Sequence, residues 1–558
     1  MQNIWNNIWD KKSLPLFLCA IFFIIYISPL ATHPLMEPDE GRYAEIAREM
    51  NESGDYVTPK LNYVKYFEKP ALLYWTQALS FKILGENEFA ARLPSSLAAI
   101  LGIAVTGLLA ASIYGRRAGI IAAVITGTSL LYIAIGTLDI TDMLVSFFIT
   151  LAMASCYIGH MRKNRRWYLV FYAAMALGLL SKGLIAVLLP GGIIFWYIVI
   201  TRKWRLIPDI LYLPGIILFL AIVFPWFYLV CEQNPDFFYF FFIQEHFLRF
   251  ATKMHDRYQP FWFFLPIILA GLLPWTAFFF ALGGRGSVLR APASCEEKDA
   301  NIFLALWFGV TLLFFSASGS KLIPYIVPCI PPAAILMAAN IDRSISGAGA
   351  GRVFLWNAGV NLLFVAALFL YALFGKIGGE TPRSEAVVIA LFISAGLVLS
   401  AFFSYPYKDM RDMSRASAVL CAGGLLFAFC VQTAYIPFGR ERSVAEAARI
   451  VAAGKRDSEK IAAFGDIFQA MPFYTKERLV LVGYKGELAY GASQETDSAR
   501  RTWFPSREEF IEEWNAGVPY VLVMEKRKVK DFFQLGAAGA RETANAGNYM
   551  IFFNGERD

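Results

Sequence analysis

Thirteen apolar segments divide this chain, each near the roughly 20 residues that a helix needs to cross the hydrocarbon core of a bilayer. They run at about 13–32, 94–113, 118–136, 140–160, 167–181, 184–201, 207–230, 261–283, 302–316, 321–340, 354–375, 385–404 and 416–437. Composition agrees, with 57% hydrophobic and 17% charged residues, where soluble domains hold roughly 45–50% and about 25%. The balance excludes a disordered chain, a secreted disulfide scaffold and an ordinary soluble enzyme, and leaves a polytopic α-helical membrane protein. The seven cysteines are odd in number and form no CxxC. Most, such as Cys156, Cys329 and Cys421, sit in apolar stretches and read as small buried hydrophobes.

The loops alternate in charge. One set carries Arg116/Arg117, Arg162/Lys163/Arg165/Arg166, Arg202/Lys203/Arg205, Arg285/Arg290/Lys298, Arg343/Arg352 and Lys408/Arg411/Arg415. With the N-terminus inside, all of these fall on the cytoplasmic face, as the positive-inside rule requires. The net charge of +7 is therefore a topology signal, and no nucleic-acid partner is expected. Lys11 and Lys12 precede the first span, which lacks a small-residue cleavage site and reads as an uncleaved anchor. Thirteen spans place the C-terminus outside, together with two longer loops at about 33–93 and 231–260.

From about residue 439 the apolar runs shorten to strand length, at Lys460–Gly465, Arg478–Gly483, Pro519–Glu525 and Tyr549–Asn554. Helical patterns lie between them at 443–454, 506–515 and 526–534. The expected division is a transmembrane domain over 1–438, with interfacial helices in its two outer loops, and a small soluble α/β domain over 439–558.

In the first outer loop, Tyr43, Ile46, Ala47 and Met50 fall at i, i+3, i+4 and i+7, so an amphipathic helix is predicted, charged on its other face. A second such stretch spans 71–84. Both suit the membrane interface. Asp39 stands where this helix begins, either as an N-cap or as a carboxylate facing a lipid headgroup. Lys65-Tyr66-Phe67-Glu68-Lys69-Pro70 packs cations, a phenol and a carboxylate beside a Pro, as a solvated turn or a polar site. The other outer loop carries Gln244-Glu245-His246-Phe247-Leu248-Arg249, and the chain has only four His. Glu68 and His246 would supply two N/O donors to Zn²⁺ or another divalent cation, an incomplete set.

Asp139 and Asp142 open the fourth span, Lys182 lies between two spans, and Lys321 and Tyr325 open the tenth. Lysines at span ends also snorkel without further purpose. All of these map to the outer face. Lys69, Lys182, Arg249 and Lys321 form the cationic set that a lipid-linked phosphate needs. Asp39, Asp142 and Glu68 are the carboxylates available for acid–base, orienting or metal roles.

The ordered motifs PDEGRYAEIAREM, GDYVTP, KYFEKP, EHFLRF and SKLIPYIVP, with a Lys-Gly between spans, resemble the lipid A 4-amino-4-deoxy-L-arabinose transferases of the protein mannosyltransferase-like GT-C superfamily. Gly486-Glu487-Leu488-Ala489-Tyr490-Gly491 is similar to a GEL-x-YG stretch of that family. The resemblance implies a GT-C fold of about thirteen spans with a periplasmic C-terminal domain. It also implies transfer of aminoarabinose from undecaprenyl phosphate to a lipid A phosphate at the periplasmic face of the bacterial inner membrane. By that likeness Asp39 is the catalytic carboxylate, Tyr43 and Tyr66 line the pocket, and Lys69 and Arg249 hold the carrier phosphate. Glu68 and His246 match zinc-binding positions, and Asp142, Lys182 and Tyr325 match further polar positions of the cavity. The expected reaction is inverting. Another polyprenyl-phosphate-sugar transferase of the same architecture, acting on protein or glycan, has the same outer motifs. A flippase predicts inverted repeats and midplane charges, and the sequence shows neither.

Overall fold

The computed structural model describes residues 11–248, 259–345, 351–374, 383–404, 413–484, 486–539 and 541–554. The chain divides into two compact units. One gathers the N-terminal helix with most of Pro94–Tyr435, and the other joins Ala31–Leu93 to Ile436–Asp558.

In the first unit, every predicted span has a helical counterpart among the described residues. Eight helices are long and apolar enough to cross a membrane, and a further pair, Arg116–Thr128 and Leu130–Gly136, is bent by 64° at its break. The shorter apolar helices Trp167–Lys182, Ile185–Thr201, Phe261–Gly271 and Ala390–Phe402 fall on the four remaining segments. The ninth span is longer than its apolar run suggests. Its helix starts at Cys295, inside a charged stretch, because the Ser294 hydroxyl accepts the Glu297 amide at 3.0 Å and caps it.

Two broken spans complete each other. A break frees backbone groups, and the bilayer offers them no water. Leu130, at the bend after Ser129, donates its amide to the Leu273 carbonyl at 2.9 Å, where the helix Phe264–Gly271 has ended. Trp275 Nε1 donates to Thr128 Oγ1 at 2.9 Å across the same junction. Gly271 has no room for a side chain here, since a Cβ would come within 2.7 Å of Leu131 Cβ.

The second unit departs from the expected division, because the first outer loop folds together with the C-terminal residues. Strands β1 (Lys60–Leu61) and β2 (Val64–Lys65) form a hairpin through Asn62 and Tyr63, which both adopt positive φ (54° and 63°). A two-residue turn with both φ positive matches the strand twist. Asn tolerates this conformation, while Tyr does so at some steric cost. The Glu49 carboxylate holds the Tyr63 amide (3.1 and 3.0 Å). Asn62 also exchanges two hydrogen bonds with the Leu479 backbone, at 2.8 and 3.0 Å.

The C-terminal sheet comprises β3 (Lys460–Phe464), β4 (Val480–Val482), β5 (Tyr520–Glu525), β6 (Arg541–Ala546) and β7 (Tyr549–Phe553), in spatial order β4-β3-β5-β7-β6. β3 runs parallel to β4 and β5, while β7 runs antiparallel to β5 and β6. Four of these strands are the predicted apolar runs. β6 reads Arg-Glu-Thr-Ala-Asn-Ala, has no apolar run, and forms the sheet edge. Helices Ala445–Gly454, Arg507–Asn515 and Val529–Gln534 match the predicted patterns, whereas Met471–Thr475, Ala489–Ser493 and Asp497–Trp503 were too short to read.

Helix Asp39–Ser53 is buried around its whole circumference from Glu40 to Met50, so its charged face is paired instead of solvated. Arg92, fully buried, donates Nε and Nη2 to the two Glu40 oxygens (2.8 and 2.7 Å) and also donates to the carbonyls of His33 and Pro34 (2.8 and 2.9 Å). Arg48 grips Glu45 through two bonds of 2.7 Å. Glu37 accepts the amides of Gln469 and Ala470 (2.9 and 2.7 Å) and so closes the start of the helix Met471–Thr475. Gly41 lets the two segments touch, because a Cβ would sit 2.4 Å from the Ala470 nitrogen.

Removing one partner of a buried ion pair strands the other. Arg92→Met should destabilise the second unit by about 3–5 kcal/mol, and adding Glu40→Gln should recover part of that loss in denaturant unfolding. His33 is a second lever. Burial, reinforced by Arg92, pulls its pKa down from 6.5 to about 4. The folded state therefore rejects a proton that the unfolded chain accepts, and stability is full above pH 6.5 and lost as pH falls toward 4. The Glu37 carboxyl, pushed up to about 7 by burial, titrates with the opposite sign over this range, so the His33 loss, about 3 kcal/mol at completion, should appear as the difference between wild type and His33→Phe in thermal unfolding across pH.

Candidate active site

The sequence candidates fall into two clusters, one in each unit. In the second unit, Asp39 does not cap its helix. It is the first helical residue, and Pro38 takes the cap position without a side-chain cap hydrogen bond. The Asp39 carboxylate is therefore not bound to backbone. It is half exposed (53%) and meets Arg42 Nη1 at 3.3 Å.

Arg42, which the sequence reading passed over, is the centre of this cluster. Its guanidinium is buried and donates to Gln469 Oε1 at 2.6 Å. It pairs with Glu487 at 3.0 Å and lies 5.8 Å from the Tyr43 ring centroid. Burial pulls its pKa down, but Tyr66, Glu487, Tyr43 and Asp39 more than reverse this, so it stays firmly charged. The only sequence signal for Arg42 is its place between two motif residues, Asp39 and Tyr43.

Tyr43 is buried with its ring 6.1 Å from that of Tyr74. Tyr66 is also buried, and its hydroxyl has no hydrogen-bond partner among the described residues. Burial pushes the Tyr66 pKa up, opposed by Arg42. Buried hydroxyls are nearly always bonded, so an orphan beside a permanent cation suits a polar ligand atom. Glu68 and Lys69 are half-buried, and Lys69 Nζ donates to the Glu68 carbonyl at 3.0 Å. The Gly486–Gly491 motif packs on this stretch. A Cβ on Gly491 would lie 2.4 Å from the Lys65 carbonyl oxygen, and Tyr490 meets Phe67 at 5.7 Å.

In the first unit, Asp142 lies in the first turn of helix Thr141–Arg162 and Lys182 ends helix Trp167–Lys182. The two form a close ion pair, each 13% exposed. Lys182 Nζ also stands 4.4 Å from the ring centroid of Tyr325, on the turn Ile323–Cys329. Three elements distant in sequence thus meet in one acid–base–aromatic contact, and the sequence had named all three residues. Lys321 is placed differently, donating to the carbonyls of Ser318 (2.5 Å) and Gln259 (2.9 Å) while buried. Its ammonium fastens the loop ahead of Tyr325.

Arg249 lies outside the described residues. His246 is on the π-helical segment Tyr239–Leu248, with its side chain outside them. No group of three His, Cys, Asp or Glu suited to a metal occurs among the described residues. Glu68 adjoins a cation, and Glu68 with His246 leaves a tetrahedral zinc two donors short.

Apolar spans carrying ionised groups at their ends, together with a small α/β domain, make this a polytopic α-helical membrane protein. Residues 68–229 match the family described as dolichyl-phosphate-mannose-protein mannosyltransferase. Residues 447–551 match the aminoarabinose transferase C-terminal domain. The undecaprenyl phosphate-alpha-4-amino-4-deoxy-L-arabinose arabinosyl transferase of Aeromonas salmonicida is 34% identical over 418 residues, 73% of each chain. The crystal structure of ArnT from Cupriavidus metallidurans bound to undecaprenyl phosphate superposes with a TM-score of 0.84 at 29% identity, covering 97% of this chain and 98% of that one. The archaeal oligosaccharyltransferase AglB from Archaeoglobus fulgidus shares the fold at a TM-score of 0.50 and 13% identity, over 94% of this chain and 71% of that one. The chain belongs to the undecaprenyl phosphate-aminoarabinose arabinosyl transferase family.

The orphan hydroxyl separates a structural role from a functional one. Tyr66→Phe removes a buried group that makes no protein hydrogen bond, so the unfolding midpoint should hold or rise, by up to about 1 kcal/mol in stability. Sugar transfer should fall severalfold. Equal loss of stability and activity would mean that Tyr66 serves packing alone.

Proposed function

We propose that this chain moves 4-amino-4-deoxy-L-arabinose from undecaprenyl phosphate to a phosphate of lipid A, with inversion, at the periplasmic face of the bacterial inner membrane. The observation that carries this reading is the likeness, along 97% of the chain, to a transferase bound to undecaprenyl phosphate. The C-terminal match to the aminoarabinose transferases favours it over transfer of another sugar to protein or glycan.

Inversion takes one displacement. An oxygen of the acceptor phosphate forms a bond to the anomeric carbon as the bond from that carbon to the carrier phosphate oxygen breaks. The electron pair leaves on undecaprenyl phosphate. The acceptor is already anionic near neutral pH, so no strong base is required. The demand is to neutralise charge growing on the leaving phosphate. Such groups, preorganised where water is scarce, are worth a few kcal/mol each. Lys69 and Arg249 are the cations assigned to this task by the family resemblance.

Asp39 carries the acidic role. Its carboxylate is exposed, not spent on the helix start, and steadied by Arg42. It orients the sugar and balances cationic charge on it. Asp142 fixes the position of Lys182, and Tyr325 stacks beneath that ammonium. A cation held this way adds to the positive field at the outer ends of the spans. The positive-inside pattern of the loops supports the periplasmic assignment for this end and for the C-terminal residues.

Asp39→Asn and Lys182→Met should each reduce transfer at least a hundredfold, with the protein still inserted and folded. Mass spectrometry of lipid A from cells expressing each variant is the readout. Full modification by Asp39→Asn would remove that residue from the chemistry. An unmodified lipid A with wild-type protein, alongside a different glycosylated product, would redirect the assignment to another acceptor.

A further inference from the structure

Helix Thr141–Arg162 has Asp142 at one end and a basic loop at the other. Its 22 residues separate the two ends by about 33 Å, the thickness of the hydrocarbon core. At the basic end, the loop after this helix and the loop after Ile185–Thr201 enclose a cavity of about 730 Å³. Its lining includes Lys163, Arg165, Arg202, Lys203, Arg205 and Asp209.

The charge here is not balanced. Arg165 pairs with Asp209 through two bonds (2.9 and 2.7 Å). Lys203 is tied to Asp299 at 2.7 Å, to the Tyr197 hydroxyl and to His160 Nε2, both at 2.9 Å. Lys163, Arg202 and Arg205 have no carboxylate partner among the described residues, and all three are exposed. Lys163 and Arg202 also share an unusual backbone, each with positive φ (51° and 56°) directly after a helix. Glycine holds that conformation without strain, yet both positions carry a cation.

Trp204, which lines the cavity, is 56% exposed. Leu211 and Leu213, which lead into the next span in the chain, are 60% and 64% exposed. An exposed indole at a span end is the anatomy of a membrane–water boundary. Cationic pockets between span ends on the cytoplasmic side suit lipid headgroups. We propose that this cavity binds the phosphate of an anionic lipid headgroup from the adjoining leaflet. Arg202, Arg205 and Lys163 receive the phosphate oxygens, and Trp204 lies against the glycerol and upper acyl region. This site is separate from the transfer chemistry and is assigned to the opposite face of the membrane.

Native mass spectrometry of the full-length protein tests this, with cardiolipin and phosphatidylglycerol as probes and phosphatidylcholine as the zwitterionic control. The wild-type protein should retain the anionic lipids selectively. The triple variant Lys163→Ala/Arg202→Ala/Arg205→Ala should retain roughly tenfold to hundredfold less. A control triple variant, Arg285→Ala/Arg290→Ala/Lys298→Ala, removes the same charge from another basic loop and should bind as wild type. Equal loss in both variants would overturn the site, because general surface charge would then explain retention. Undiminished retention in the first would also overturn it. Binding of inorganic phosphate without selective retention of either anionic lipid would overturn the lipid as the source of the phosphate. The single variant Arg205→Ala, checked by its unfolding temperature, serves if the triple variant does not fold, and it should show a smaller loss of the same sign.

Discussion

Buried charge sets the terms for the second unit. Helix Asp39–Ser53 carries ionisable residues at Glu40, Arg42, Glu45, Arg48 and Glu49, all buried. Taking an ion out of water costs several kcal/mol, so the helix is tolerable only where each charge meets a partner in good geometry. Later residues of the same loop supply some partners, through Arg92 on Glu40 and the Tyr63 amide on Glu49. Arg48 and Glu45 pair within the helix, and the C-terminal residues hold Arg42 through Gln469 and Glu487. Neither half of this unit has its charges satisfied alone, and the partners lie up to about 445 residues apart in the chain. The first outer loop therefore belongs to the C-terminal unit, although it is embedded between spans.

The same reasoning governs the first unit with different materials. Within a bilayer the backbone must satisfy itself, and the two broken spans do so through Leu130 on Leu273 and Trp275 on Thr128. At one such span end Asp142 is paired with Lys182, and the pair is backed by the face of Tyr325. Pairing holds the ammonium in one place, and a catalyst that works by electrostatics needs its charges fixed before the reaction begins.

Much of this was legible because some constraints are local. A stretch of apolar residues long enough for a bilayer announces itself, and so do the apolar runs of β3, β4, β5 and β7. The edge strand β6 gave no signal because it contains no run of apolar residues, which an edge strand, paired on one side only, does not require. The turn at Asn62 and Tyr63 was hidden because Tyr is an uncommon choice at positive φ, and its support comes from Glu49, fourteen residues earlier in the chain. Asp39, Asp142, Lys182 and Tyr325 stood out as polar residues at the edges of apolar segments. Arg42 did not, because on a helix already rich in charge one more arginine reads as solvated.

The amino-acid sequence alone determined that the chain is a many-span helical membrane protein with a small α/β end, and it marked out polar residues at the edges of the apolar segments. Hydropathy, charge alternation and strand-length runs are properties of neighbouring residues, and neighbours are what a sequence displays. Only the tertiary structure decided which charges are buried, which are paired, and that Lys321 is bound to carbonyls while Lys182 sits against an acid and a ring. Those outcomes depend on desolvation and on partners brought from hundreds of residues away, and that proximity exists only once the chain has folded.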